Sequence, residues 1–359
     1  MDKTALKKIQ SILPNSIDAA IINNNANKRY LTGVNTDDAG TLVICREKAY
    51  FIIDSRYIEV VTNSVSDLFT VVLQDELYTQ INEIFVQNKV QNYCIEKQCT
   101  TISSFEKISN SLSKFTLNND YDIYNDIIEL RSIKCNCELD FIKKAQEITE
   151  KGFDYILGKI SQNKTEKELA LELEFFLRKN GADKLSFDTI FVSGKNTSLP
   201  HGKPSDKKIE IGDFITIDFG VEFNGYMSDI TRTIAFGKVS DEQIKVYNIV
   251  LNAQNAAFNL IKEGIECSKI DKAARDVISE AEYGKYFGHA LGHSVGLEIH
   301  ETPNFSPKCN TILKEGMVLT VEPGIYLPNK FGVRIEDMVF VTKNGYENLT
   351  KSDKSLIIL

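Results

Sequence analysis

Apolar residues come in short bursts through the first third of the chain. DAAIIN (18–23), GTLVIC (40–45), AYFIID (49–54), FTVVL (69–73) and YCIE (93–96) are β-branched or aromatic and bounded by Asn, Gly or charge, the mark of buried strands. Stretches of helical period lie around 75–88 and 103–113. This alternation predicts an α/β layer domain of four or five strands over residues 1–125. It holds no histidine and no glycine-rich phosphate loop, so it carries no evident chemistry.

The period then lengthens. Residues 125–157 read as a connector running into a long helix. In KTEKELALELEFFLRKNG, Thr165 and Glu168 form a capping box, Leu169, Leu173, Phe176 and Leu177 share one face, and Gly181 ends the helix. Ser240 and Gln243 make a second box, opening a helix that Gly264 is expected to close. DFITIDFG, YMSDITRTIAFG, MVLTVEPGIYL and GVRIEDMVFV are strand-like. Residues 126–359 are therefore expected to form an α+β domain, with helices packed on a mostly antiparallel sheet.

Two turn signals fix strand registers. With Asn224-Gly225 as a hairpin turn, Phe223 pairs with Tyr226, Asp218 faces Thr231 and Asp229 faces Gly220. Asp218 and Asp229 then lie diagonally on one face, their β-carbons at most roughly 7–8 Å apart. A three-residue loop at Pro328-Asn329-Lys330 sets Glu322 across from Glu336, although Pro323 and Gly324 interrupt that strand. Acids set among ITI, LTV and VRI need a positive partner if they are buried.

Composition narrows the function classes. At 359 residues two domains are expected. The 42 basic and 50 acidic residues give a net charge of −8, so no basic face dominates and nucleic-acid binding is not expected. No apolar run approaches the roughly 20 residues of a membrane span. MDKTALKKIQSILPNS at the N-terminus lacks a signal-peptide core, and a cytoplasmic protein with no membrane partner is expected. The seven cysteines are scattered, and the pair Cys135/Cys137 has no second pair to complete a zinc site. They read as reduced thiols.

Histidine is scarce and concentrated. His289, His293 and His300 fall within GHALGHSVGLEIHE (288–301), and His201 lies in SLPHGKPS. GHSVG also spells the G-x-S-x-G of a serine-hydrolase elbow, but the only histidine after Ser294 is His300, six residues on, with Glu298 the sole acid between them, which does not suit the triad of that fold. A helical H-x3-H metal pair fares no better: glycines at 288, 292 and 296 would each cost the helix about 1 kcal/mol. An irregular strand or loop fits. One imidazole added to four carboxylates makes a hard, oxygen-rich set suited to two divalent ions, with Mn²⁺ expected and Co²⁺, Fe²⁺ and Zn²⁺ as alternatives. The calcium-loop pattern is absent.

In order and spacing, SLPHG, DFG, GYMSDITRT, GHSVGLEIHE, VEPGIY and VRIED resemble the motifs of the creatinase/aminopeptidase P/prolidase family over nearly the whole chain. The resemblance implies a creatinase-like α/β domain at 1–125 and a pita-bread catalytic domain at 126–359. It implies metal ligation by Asp218, a bridging Asp229, His293, Glu322 and a bridging Glu336. His201, His289 and His300 would contact substrate or stabilise the tetrahedral intermediate, and Glu322 would also shuttle the proton. Arg334, on the strand face of Glu336, is expected to orient a carboxylate. Ser294 departs from the family, where many members have glycine.

The implied reaction is attack of a metal-bridging hydroxide on the bond before proline, removing the N-terminal residue of an Xaa-Pro peptide. Some dipeptidases of the family place an arginine just after H-E-x-P, whereas HETPNF (300–305) has none. That favours an aminopeptidase P, with an Xaa-Pro dipeptidase (prolidase) as the alternative. The five retained ligand positions disfavour both a metal-free creatinase and a non-catalytic binding protein on this fold. The resemblance also leads us to expect a homodimer.

Overall fold

The computed structural model describes residues 4–359. They form two compact units that divide between Arg131 and Ser132.

In the first unit, six strands are ordered Phe69–Leu73, Ala49–Ile53, Thr41–Cys45, Ala19–Ile22, Asn92–Ile95 and Thr116–Leu117. The last, a two-residue edge strand, takes the sheet beyond the four or five expected. Too short to show a period, it is fixed by parallel pairing of Asn92 with Thr116 and Tyr93 with Leu117. Every residue of the Ala19–Ile22, Thr41–Cys45 and Ala49–Ile53 strands is buried, which is why these segments read as unbroken apolar runs rather than alternating ones.

In the second unit both capping boxes are present. Thr165 and Glu168 open helix Glu166–Lys179, and Ser240 and Gln243 open helix Asp241–Phe258. Leu169, Leu173 and Leu177 are buried along the first, each stabilising by about 1.5–3 kcal/mol. Phe176 departs from the expected face: it is half-buried and stacks on Tyr155 at a centroid distance of 4.0 Å. The second helix stops at Phe258, before Gly264, as the chain turns to bury Ile261. The expected connector forms helix Ile123–Ser132, all but its last residue in the first unit, and the long helix is Asn136–Leu157 of the second.

Both registers hold. Phe223 pairs with Tyr226, and Asp218 with Thr231. The hairpin is divided, however: Phe214–Phe219 and Ile230–Ala235 share a sheet with Ile190–Ser193, while Val221–Phe223 and Tyr226–Met227 belong to another. Asp229 lies at the split. Downstream, Gly324 pairs with Arg334 and Leu327 with Phe331, and beyond Pro323 the same register continues from Val321–Asp337 to Val318–Phe340. Glu322 and Glu336 therefore fall opposite each other in the gap between two ladders. The histidine-rich segment is not helical; its strand Gly292–Ser294 sits between Glu301–Phe305 and Val318–Val321, with a register slip after His293.

Candidate active site

All nine side chains singled out in the sequence, His201, Asp218, Asp229, His289, His293, His300, Glu322, Arg334 and Glu336, line one cavity of about 960 Å³. Asp229, His293 and Glu336 each offer a ligand atom within 4.8 Å of the others. His293 Nε2 is 3.7 Å from Asp229 Oδ2 and 3.3 Å from Glu322 Oε1. Its Nδ1 donates to the Ser294 carbonyl at 3.2 Å, so the proton sits on Nδ1 and the Nε2 lone pair faces carboxylate oxygens. Burial, and then the neighbouring His300, hold this imidazole down to about 4; it is neutral at physiological pH.

Acidic oxygens crowded this closely must either take up protons or share a cation. Burial raises Asp229 well above the usual carboxylate range, and the charges of Glu336, Asp218 and Glu322 raise it further. Glu336 is raised by burial and then by Glu322 and Asp218. Burial pushes Glu322 up to about 8. Asp218 Oδ1, Asp229 Oδ1 and Glu336 Oε1 are buried with no hydrogen-bond partner among the described residues. Orphaned carboxylate oxygens of this kind are rare in native interiors, and the donor set of hard oxygens with one imidazole fits divalent metal.

The supporting contacts come from several elements. Thr320 Oγ1 accepts from the His293 N–H at 3.0 Å and donates to Glu322 Oε1 at 3.1 Å. Thr231 Oγ1 donates to Glu336 Oε2 at 2.7 Å. Gln254, buried on helix Asp241–Phe258, donates to the carbonyls of Val321 and Ile335, the residues preceding Glu322 and Glu336. Main chains also touch directly behind His293 and Asp229: a β-carbon on Gly292 would stand 2.0 Å from the Thr320 carbonyl oxygen, and one on Gly220 would stand 1.9 Å from that of Ser228. Sequence reasoning missed both threonines and Gln254; their period-two or helical positions look like ordinary sheet or core sites.

Arg334 binds Asp218 Oδ2 at 2.5 Å, Thr231 Oγ1 at 3.1 Å and Tyr326 Oη at 2.8 Å. Tyr326 in turn donates to His289 Nε2 at 3.0 Å, while His289 Nδ1 donates to the Ala290 carbonyl at 2.8 Å. Burial holds His289 down to about 4, so it remains a neutral acceptor. Tyr326 ends the VEPGIY stretch; register could have found it, since it lies on the hairpin that carries Arg334. Arg275 fixes the preceding backbone, pairing with Asp271 and donating to the carbonyls of Phe287 and His289. His300 packs edge-on to His293 at 4.4 Å between centroids. Burial, then the charge of His201, lower its pKa.

Replacing Arg334 by methionine is expected to destabilise the metal-free protein by about 3–5 kcal/mol, because a buried carboxylate loses its cation. Urea unfolding measures this, and a loss under about 1 kcal/mol would argue against the Arg334–Asp218 pair as a buried charge contact.

A largely buried cluster of four acids and one neutral imidazole, set in one cleft, defines the site as that of a metal-dependent enzyme. The chain belongs to metallopeptidase family M24, whose model matches residues 140–343, and residues 6–133 match the creatinase/prolidase N-terminal domain. It is 39% identical over 365 residues to an Xaa-Pro dipeptidase of Pyrococcus horikoshii, covering 99% of each chain. Among solved structures it resembles an Xaa-Pro dipeptidase from Bacillus anthracis (40% identity, TM-score 0.94, 99% of each chain). It also resembles an X-Pro aminopeptidase from Thermotoga maritima (36% identity, TM-score 0.88, 96% of this chain and 98% of that one). The fold is thus the expected α/β domain followed by a pita-bread domain, and the match to a metallopeptidase family implies divalent metal. Among the described residues no helix is long and apolar enough to cross a membrane.

Proposed function

We propose that the protein is an Xaa-Pro dipeptidase, hydrolysing the bond between an N-terminal residue and a terminal proline. The observation that carries the peptidase reading is the convergence of four orphaned or crowded acids and His293 in one cleft with the three other histidines. The choice of dipeptidase over aminopeptidase P is supported by end-to-end similarity to proteins named Xaa-Pro dipeptidase. It reverses the preference drawn from the absence of an arginine in HETPNF (300–305).

Asp218, Asp229, His293, Glu322 and Glu336 would hold two divalent ions. When bound, such ions supply Lewis-acid polarisation of the carbonyl and a nucleophile at neutral pH. The other work falls to side chains. Glu322, which lines the cavity beside His293, accepts one proton from the attacking water and delivers it to the proline nitrogen as the C–N bond breaks. His201 and His300 donate to the carbonyl oxygen as charge develops there. Arg334 and Tyr326 hold Asp218 and His289 in place.

With Mn²⁺ supplied, Ala-Pro is expected to be cut to alanine and proline at least about tenfold more efficiently than Ala-Pro-Ala, with activity lost on chelation. Mass-spectrometric product analysis measures this. Preferential cleavage of the tripeptide to Ala and Pro-Ala would make the protein an aminopeptidase P, as the absence of an arginine after His300-Glu301-Thr302-Pro303 suggests. Cleavage of neither substrate with any candidate metal would sink the peptidase reading.

A further inference from the structure

We infer that Lys203, with Lys167 beside it, is the cationic corner of the cavity that binds the substrate's terminal carboxylate. The inference rests on the dipeptidase reading and supplies what that reading lacks. A dipeptidase must recognise a free carboxylate directly beyond proline, and a charge-assisted hydrogen bond is the efficient means. The stretch after His300-Glu301 offers none: Asn304 lines the cavity with a neutral amide, itself accepting from Ser306 at 2.8 Å, and Lys308 does not line it.

Apart from the histidines, the cations lining the cavity are Lys167, Lys203 and Arg334. Arg334 is buried and committed to Asp218 and Tyr326. The two lysines are exposed, and among the described residues neither ammonium group has an ion-pair or hydrogen-bond partner. Glu174 and Asp188 also line the cavity, but neither pairs with a lysine. Both positive charges are therefore available to a ligand.

They also belong to one wall. Lys203 stands two residues beyond His201 in a run, Pro200 to Pro204, that lines the cavity throughout. Lys167 is in the first turn of helix Glu166–Lys179, and its backbone N–H donates to the Ser205 carbonyl at 3.1 Å. The loop is anchored at both ends by one buried carboxylate. Glu166 accepts from the Ser193 N–H at 2.6 Å and its hydroxyl at 2.8 Å, from the Asn196 amide at 3.1 Å, and from the Ser205 N–H and hydroxyl at 3.0 and 2.6 Å. The backbone under Lys203 is thereby set before substrate arrives, which lowers the ordering cost of binding. A tripeptide carries its carboxylate one residue further on, roughly 3.5 Å, and a dipeptide amide lacks the charge altogether.

The discriminating quantity is the ratio of kcat/KM for Ala-Pro to kcat/KM for Ala-Pro-amide, measured on the Mn²⁺-loaded full chain. Lys203→Ala is expected to lower this ratio about tenfold, carried by KM for Ala-Pro. Lys203→Ala with Lys167→Ala lowers it further, and Lys203→Arg restores it to within about threefold. Lys195→Ala, an exposed lysine that does not line the cavity, leaves the ratio unchanged and controls for bulk charge. An unchanged ratio in the double variant overturns the assignment while wild-type turnover of Ala-Pro keeps the dipeptidase reading intact. Failure of the wild type on Ala-Pro, with metal bound, overturns that reading and the assignment with it.

Discussion

Replacing Asp229 with asparagine is expected to move activity and metal-free stability in opposite directions. Asp229 is buried, and its charge is opposed by burial and then by Glu336, Asp218 and Glu322. Asparagine keeps the shape and removes that charge, so the metal-free fold should melt a few degrees higher. The same change removes a carboxylate from the cluster of ligand atoms it shares with His293 and Glu336. Peptidase kcat/KM is expected to fall at least about a thousandfold, roughly 4 kcal/mol of transition-state stabilisation. Steady-state kinetics and thermal unfolding of one preparation test both halves. Retained activity would remove Asp229 from the metal site, and a lower metal-free melting temperature would mean that charge crowding there has been overstated.

Chelation should abolish activity and leave a protein whose stability depends on pH in a specific window. Glu322 has its folded-state pKa raised from the ordinary 4.5 to about 8. Between those values the folded state binds more protons than the unfolded state, so stability falls as pH rises. His289 and His293 act oppositely: lowered from 6.5 to about 4, they make stability rise with pH up to about 6.5. From about pH 6.5 to about 8 only the carboxyl contribution remains. Across that interval Glu322 alone costs up to about 2 kcal/mol, a fall of about 4–8 °C in melting temperature for a domain of this size. Metal at about 100 times its Kd adds about 2.7 kcal/mol and neutralises the repulsion, so the loaded protein should be nearly flat over the same range. A metal-free protein that melts higher at pH 8 than at pH 6.5 would contradict this account of the cluster.

The carboxylate pairs were legible in the sequence because turn chemistry and a period of two leave no freedom. Once Asn224-Gly225 is the turn, Asp218 must face Thr231; once residues 328–330 are a loop, Glu322 must oppose Glu336. What failed were signals that tertiary contacts override. Gly264 looks like a helix stop, but burial of Ile261 ends the helix earlier. His201 was reached only by resemblance, since it sits on a loop whose path is set by Glu166, a residue that reads in sequence as one more acid in a helix's first turn. Lys167 and Lys203 carry no pattern at all: they share a cavity wall because the helix start hydrogen-bonds to Ser205. The proposed selection of dipeptides is hidden for the same reason, since it would rest on a wall assembled from two distant segments.

The contacts at Gly220 and Gly292 bear on how this centre can change. With main chain against main chain behind Asp229 and His293, no side-chain adjustment at those glycines can widen or narrow the space between the acids. The spacing of the backbone segments beneath Asp229 and His293 is thus inherited from how the strands pack. Adaptation to an ion of different radius would fall to the side chains, by a change of rotamer or by exchange of a shorter acid for a longer one. The platform of the centre is a property of the fold, and its reach and chemistry are open to variation.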